Sequence, residues 1–212
     1  MTIVKWAGLV VLLGLGGGAT FLYAAFGAFL PWREEAEVGR LATLLGVTPG
    51  QQIAEIGAGT GRFTVALARR VRPNGHVFST ELNPAQRDAI AARAADAGLS
   101  NVTVVEGTPA ATNLPDACCD ALVMRAVHHH IQDPPAFVGS LARAVRPGGS
   151  VAVIDFEPGA LWFHDGPPDG SRRPGHGVSR ADAITAFRAA AFTVREEVLD
   201  WSGPLWLVVF TR

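Results

Sequence analysis

Glu55-Ile56-Gly57-Ala58-Gly59-Thr60-Gly61-Arg62-Phe63 (EIGAGTGRF, residues 55–63) places glycine at every second position between an acidic residue and the apolar start of a helix. Glycine lacks a Cβ and reaches backbone conformations that other residues avoid, so such a loop lets a ligand approach the main chain closely. An apolar strand, Gln51 to Ile56, leads into it, and apolar residues at helical spacing from Phe63 to Val71 lead out.

Outward from this loop the chain alternates strands and helices with conventional punctuation. Upstream, Arg33 to Leu45 reads as a helix stopped by Gly46. Downstream, strands are expected at His76–Thr80, Val102–Glu106, Asp120–Val127 and Ser150–Phe156. Asn83-Pro84 and Asp133-Pro134 each supply an N-cap followed by proline at the first helical position, and Ser179-Arg180-Ala181-Asp182 forms a capping box. Strands near Thr193–Trp201 and Leu205–Thr211 are joined only by Ser202-Gly203-Pro204, so they must pair antiparallel. The pattern predicts an α/β fold: a Rossmann-like, mostly parallel sheet with helices on both faces. In such sheets ligands bind beyond the carboxyl ends of the strands, where the glycine loop lies.

Spacing then selects among ligands. A dinucleotide fingerprint needs Gly-x-Gly-x-x-Gly or Ala, whereas here Arg62 stands at the third small position and no Gly-Lys-Ser/Thr follows. A nicotinamide-dependent oxidoreductase is therefore the weaker alternative. Glu81, at the tip of the second strand, can accept hydrogen bonds from ribose hydroxyls, while with Glu55 it repels a nearby phosphate. A ligand with an adenosine moiety, a positive centre and no phosphate meets these conditions. S-adenosylmethionine is such a molecule.

Composition bounds the rest. The 212 residues, 49% apolar, suffice for one core, and a net charge of −1 with scattered basic residues offers no face for nucleic acid. The two cysteines, Cys118 and Cys119, are adjacent, which suits neither a disulfide between distant segments nor a zinc site, and they read as core in a reducing compartment. From Ala7 to Leu30 no residue is charged, and at roughly 1.5 Å rise per residue the run reaches about 36 Å, enough to cross a bilayer. Residues 1–32 are accordingly expected to be a single-pass anchor that contacts lipid through residues 7–30, with 33–212 as the catalytic domain. A cleaved signal peptide with export, a buried core helix and an amphipathic surface helix are the alternatives. Positive charge nearly balances across the run, so cofactor supply decides orientation: the domain is expected to face the cytoplasm from the inner or plasma membrane.

With these residues in view, the chain resembles the class I S-adenosylmethionine-dependent methyltransferases, especially the quinone-biosynthesis C-methyltransferases. The resemblance spans about residues 33–212 and rests on Glu55 to Gly61, Glu81, Val105-Glu106-Gly107-Thr108, Asp120 to Pro134 and Leu141 to Gly149. It implies a seven-stranded sheet with an antiparallel last strand and S-adenosylmethionine as cofactor. It also implies cofactor contacts from Glu55, Gly57, Ala58, Gly59 and Gly61 at the methionine end, Glu81 at the ribose, and Leu82, Gly107 and Thr108 around the adenine. Arg125 stands where relatives often carry Asp or Asn, and is included among the cofactor residues.

Methyl transfer is an in-line displacement that depends largely on alignment, and a base is needed only when the acceptor must lose a proton. Of His128, His129 and His130 at the ligand edge, alternation along an extended chain selects His129 to face a small, lipophilic acceptor as a base; the alternative is that all three fill the strand-to-helix corner. Metal ligation is not expected, because adjacent residues converge poorly. The Gly- and Pro-rich segment from Glu157 to Val178, with Trp162, Phe163, His164 and His176, has the length of an active-site lid. A catalytically idle binding module anchored to the membrane is the alternative to an enzyme.

Overall fold

A computed structural model describes residues 31–160 and 177–212. The expected anchor at 7–30 and the lid residues Trp162, Phe163, His164 and His176 lie outside the described residues. Among the described residues no helix is long and apolar enough to cross a membrane.

The helices are α1 (Pro31–Leu45), α2 (Arg62–Arg70), α3 (Pro84–Asp96), α4 (Pro134–Ala144) and α5 (Arg180–Ala189). The strands are β1 (Gln52–Ile56), β2 (His76–Glu81), β3 (Val102–Glu106), β4 (Cys119–Arg125), β5 (Val145–Phe156), β6 (Thr193–Ser202) and β7 (Leu205–Thr211). They form one seven-stranded sheet in the order β3-β2-β1-β4-β5-β7-β6. The first five strands are parallel, and β7 runs antiparallel between β5 and β6. The sheet reverses direction of growth between β1 and β4, and this switch point opens the crevice where α/β folds bind ligands.

Period-two alternation explains the layering. Ile53, Val123 and Ile154 face a core shared with Val38 and Leu41 of α1 and Phe63 and Leu67 of α2. Ala54, Leu122, Met124 and Val153 face the opposite core, with Phe137 and Leu141 of α4 and Phe187 of α5. Strands buried on both faces need continuous apolar runs, as in Val151 to Ile154. The caps act as their residue types require: the Asn83 side chain accepts from Ala85 and Gln86 N–H, Asp133 from Ala136 N–H, and Ser179 from Asp182 N–H.

Three details differ from expectation. β4 ends at Arg125 rather than Val127, because Ala126 takes φ +53° and turns the chain out of the ladder. β5 begins at Val145, before the Pro147-Gly148-Gly149 turn, with a register irregularity against β4 absorbing the extra residues. Cys118 and Cys119 are not free core thiols but are bonded to each other, and both are buried.

Helix α1 is fixed to the ligand edge of the sheet by a buried ion pair. Arg125, at the end of β4, donates from Nε and Nη2 to Glu37 at 3.0–3.2 Å, and Trp201 Nε1 donates to the same carboxylate at 2.8 Å. Removing one member of a buried pair costs more than the pair contributes, because the other charge stays desolvated. Glu37→Ala should therefore destabilise the domain by about 3–5 kcal/mol in urea unfolding. A loss below about 1 kcal/mol would show the pair to behave as an exposed one.

Candidate functional site

The glycine loop leaves β1 at the carboxyl edge, and its three glycines answer three constraints. Gly57 has φ +67°, and a Cβ there would lie 2.5 Å from Val127, which packs over it. Gly61, at φ +78°, caps α2, and a Cβ there would sit 3.1 Å from the Ile90 backbone of α3. Close packing thus falls to Gly61, leaving Arg62 exposed as the first residue of α2. Gly59 differs from both: at φ +53° a Cβ would meet nothing within 4 Å and would project into open space. That cradle is the place where a ligand can lie against the main chain.

Glu81 holds the cradle. Its Oε2 accepts the Gly59 N–H at 2.9 Å, and its Oε1 accepts those of Leu82 and Asn83 at 2.8 and 3.0 Å. A carboxylate has about four acceptor positions, so three amides still leave capacity for a hydroxyl. Glu55 does something else: buried on β1, it accepts from Thr64 Oγ1 of α2, which is in turn 2.7 Å from Ser79 Oγ on β2. Ala58 is buried and its N–H donates to Thr80 O at 3.0 Å, pinning the loop to β2.

Beyond Glu81, an apolar recess of about 120 Å³ is lined by Gly57, Leu82, Gly107, Thr108, Val127, His130 and Phe137, among others. Complete ligand sites run roughly 300–1,000 Å³, so this recess receives one end of a ligand. Leu82 lies at its wall 47% exposed, an apolar side chain held in the open beside a recess that suits a flat ring. Gly107 lies where a Cβ would contact Thr80 at 3.6 Å. The Thr108 hydroxyl is engaged locally, donating to Ala111 O at 3.1 Å and accepting from Ala111 N–H at 3.0 Å. A larger open depression of about 700 Å³, among Glu35, Arg62, Arg69, Arg93 and Asp96, lies between α1, α2 and α3. Its mixed charges and place outside the strand ends make it the poorer candidate.

Two placements correct the sequence reading. Arg125 does not face the recess; its guanidinium turns to Glu37 on α1. The histidine run is not extended: His128–His130 is a single 3-10 turn, whose three residues per turn send the side chains to three different places. His130 lines the recess. His129 lies behind it, fully buried, with its ring 4.0 Å from that of His130 and 4.6 Å from that of Phe156. His128 packs on Phe187, and burial pushes its imidazole below the usual value, opposed by the Asp155 charge and aided by His129.

Sequence reasoning missed Asp155. This residue ends the apolar run of β5, is fully buried, and sits 2.7 Å from His129 Nδ1. A lone acid closing a strand as apolar as Val151-Ala152-Val153-Ile154 was the available signal. Among the described residues no group of three His, Cys, Asp or Glu gathers for a metal ion.

Comparison with known proteins fits this geometry. Residues 54–153 match the family described as "Methyltransferase domain". Over these residues the chain is similar to methyltransferase domains. The ubiquinone/menaquinone biosynthesis C-methyltransferase of Vibrio cholerae is 29% identical over 112 residues, 52% of this chain and 43% of that protein. The match thus spans less than half the length of such curated relatives. A SAM dependent methyltransferase from Aquifex aeolicus superposes with TM-score 0.70 at 20% identity, covering 86% of this chain and 98% of the other. The cyclase SpnF superposes with TM-score 0.68 at 18% identity, covering 87% and 84%. A cyclase on this frame shows that the fold alone does not choose the reaction.

The residues present fit the cofactor: an open cradle at Gly59, remaining acceptor capacity on Glu81, and an apolar recess beside Leu82. Glu81→Ala should weaken S-adenosylmethionine binding by about 1.5–3 kcal/mol, the range for hydrogen bonds to charged groups. Gly59→Val should abolish binding in calorimetry, while Gly61→Ala should chiefly lower the melting temperature through its clash with Ile90. Undiminished affinity in both Glu81→Ala and Gly59→Val would contradict the assignment.

His128 yields a pH prediction. Its folded-state value lies below the ordinary imidazole value of 6.5, so the unfolded chain binds more protons on the acid side and stability falls as pH drops below about 6.5. His128→Phe should flatten the decline in melting temperature between about pH 7 and 5 relative to the wild type. An unchanged slope would assign that decline to other groups.

Proposed function

We propose that this chain moves a methyl group from S-adenosylmethionine to a small, lipophilic acceptor by in-line displacement. The observation that carries the reading is the single edge where the Gly59 cradle, the Glu81 carboxylate and the Leu82 recess meet. When bound there, the sulfonium supplies a methyl group on a good leaving group. The protein's work is then to hold and align. The Gly57 to Gly61 loop accommodates the methionine portion, Glu81 accepts the ribose hydroxyls, and Leu82 covers a face of the adenine with Gly107 and Thr108 along its edge. Where the acceptor has a proton to lose, it passes to His129 by way of His130, which lines the recess and whose ring lies 4.0 Å from that of His129. The lipophilic character of the acceptor is supported by the C-methyltransferase relatives, whose names place them in quinone biosynthesis.

The same proposal includes a membrane anchor at residues 7–30 with the catalytic domain in the cytoplasm. It is supported by the uncharged run in the sequence and by the cytosolic origin of S-adenosylmethionine.

Incubating the full chain with methyl-labelled S-adenosylmethionine and a membrane extract should transfer label to an organic-soluble product. Binding of the cofactor without any transfer would favour an idle module instead. His129→Ala should lower turnover about 100-fold or more while keeping cofactor affinity. Protease added to intact cells should leave residues 33–212 uncut if the domain is cytoplasmic; digestion from outside would overturn the topology.

A further inference from the structure

The open depression between α1, α2 and α3 takes no part in the site at the strand ends, yet it is lined in a regular way. Arg62, Val65 and Arg69 follow one face of α2 at i, i+3 and i+7 spacing, and Ala89, Ala92 and Arg93 face them from α3. The alanines keep the floor low, so about 700 Å³ stays open between the guanidinium groups. Arg93 is held in place by its Nε, which donates to Thr60 O at 2.7 Å. A guanidinium has five donors, so that bond leaves it able to meet an anion as well. Two acids, Glu35 and Asp96, line the depression against these three arginines, which leaves positive charge in excess. Around it the excess grows: Arg70 and Arg72 are exposed too, and from Ile56 to Thr80 the chain holds four arginines and no Asp or Glu. Arg70 also reaches α1, where a Cβ on Gly39 would lie 3.1 Å from its Nη2.

Covalent continuity says what lies against this surface. Helix α1 starts at Pro31, directly after the uncharged run from Ala7 to Leu30, and Glu35 on its early part already lines the depression. At 1.5 Å rise per residue about 6 Å of helix separates Pro31 from Glu35, and the polar layer of a bilayer leaflet is roughly 5–8 Å deep. A run that crosses a bilayer therefore delivers the depression to the headgroup layer. Resting on the membrane anchor of the preceding reading, we propose that the depression is a docking surface for anionic phospholipid, with headgroup phosphates seated among Arg62, Arg69 and Arg93. The planar guanidinium fork matches phosphate oxygens, and basic clusters beside a span draw anionic lipid to them. Such a cluster is ordinarily a run of Lys and Arg next to the span. Here the sequence next to the run offers only Arg33 before Glu34 and Glu35, and the fold supplies the remaining charge from α2 and α3. Arg62 directly follows the glycine loop and Arg93 is bonded to Thr60 within it, so docking by this face brings the ligand edge beside the bilayer, the source of a lipophilic acceptor.

The test uses the full chain in nanodiscs of phosphatidylcholine alone, or of phosphatidylcholine and phosphatidylglycerol in equal parts. Phenylglyoxal modifies accessible arginines, and mass spectrometry reads each site. With phosphatidylglycerol, modification of Arg62, Arg69 and Arg93 should slow at least about threefold. Arg143 on α4 and Arg188 on α5, exposed on the helices that cover the other face of the sheet, should keep their rates. Salt at about 1 M, which cuts the screening length to about 3 Å, should restore the rates at the three arginines. Arg62→Gln combined with Arg69→Gln changes two exposed side chains; it should leave the melting temperature and entry into nanodiscs unchanged and lose the protection of Arg93. Equal rates in the two lipids, equal slowing at Arg143 and Arg188, or protection of Arg93 that survives in the double variant would overturn the docking surface. The same protection from inorganic phosphate over phosphatidylcholine would overturn it in favour of a small-anion pocket. Failure of the chain to enter phosphatidylcholine nanodiscs would instead overturn the anchor reading beneath it.

Discussion

One carboxylate organises the ligand edge. By collecting the amides of Gly59, Leu82 and Asn83, Glu81 ties the loop after β1 to the turn after β2. Hydrogen bonds to an ionised acceptor are shorter and stronger than neutral ones, so three of them outweigh the tendency of a glycine loop to wander. Turning the Leu82 and Asn83 amides inward has two further effects. Leu82 is left with its side chain outward beside the recess, and Asn83 is set to cap α3. Arg87, one turn into that helix, donates to the carbonyls of Glu81 and Leu82 at 3.2 and 2.6 Å and closes the corner.

The opposite side of the edge is built from β4 and β5. Positive φ at Ala126 ends β4 abruptly, drops Val127 over Gly57 and starts the 3-10 turn of histidines. Arg125, just before the break, is drawn to Glu37 and so couples α1 to this edge, while Asp155 from β5 anchors the turn through both main-chain and side-chain bonds of His129. Backbone outliers cluster at functional sites because only a surrounding structure that over-determines them can hold them. The Glu81 side and the histidine side of the edge are thus separate assemblies that meet at Gly57 and Val127.

Much of this was legible in the chain. Alternating apolar strands, the three caps and the short link between β6 and β7 fixed the layers and the antiparallel ending, because each depends on neighbours a few residues apart. The glycine spacing and Glu81 pointed to the candidate ligand edge for the same reason: a short motif on a strand end carries its own geometry. What escaped depends on contacts distant in sequence. Arg125 and Glu37 are separated by 88 positions and His129 and Asp155 by 26, and no local pattern links either pair. The choice of His129 rested on extended geometry, which the turn beginning at Ala126 abolishes; its place behind His130 follows from three residues per turn. The joining of Cys118 to Cys119 is likewise invisible to rules that describe bridges between distant segments.

The central claim is that the edge held by Glu81 is the seat of an adenosine-bearing sulfonium ligand. A crystal structure of the full chain with S-adenosylhomocysteine tests it most directly. The account predicts the ribose hydroxyls within hydrogen-bond distance of the Glu81 carboxylate, the adenine against Leu82 in the recess, and the sulfur end along the Gly57 to Gly61 loop. Ligand density elsewhere, or a ribose turned away from Glu81, would contradict it.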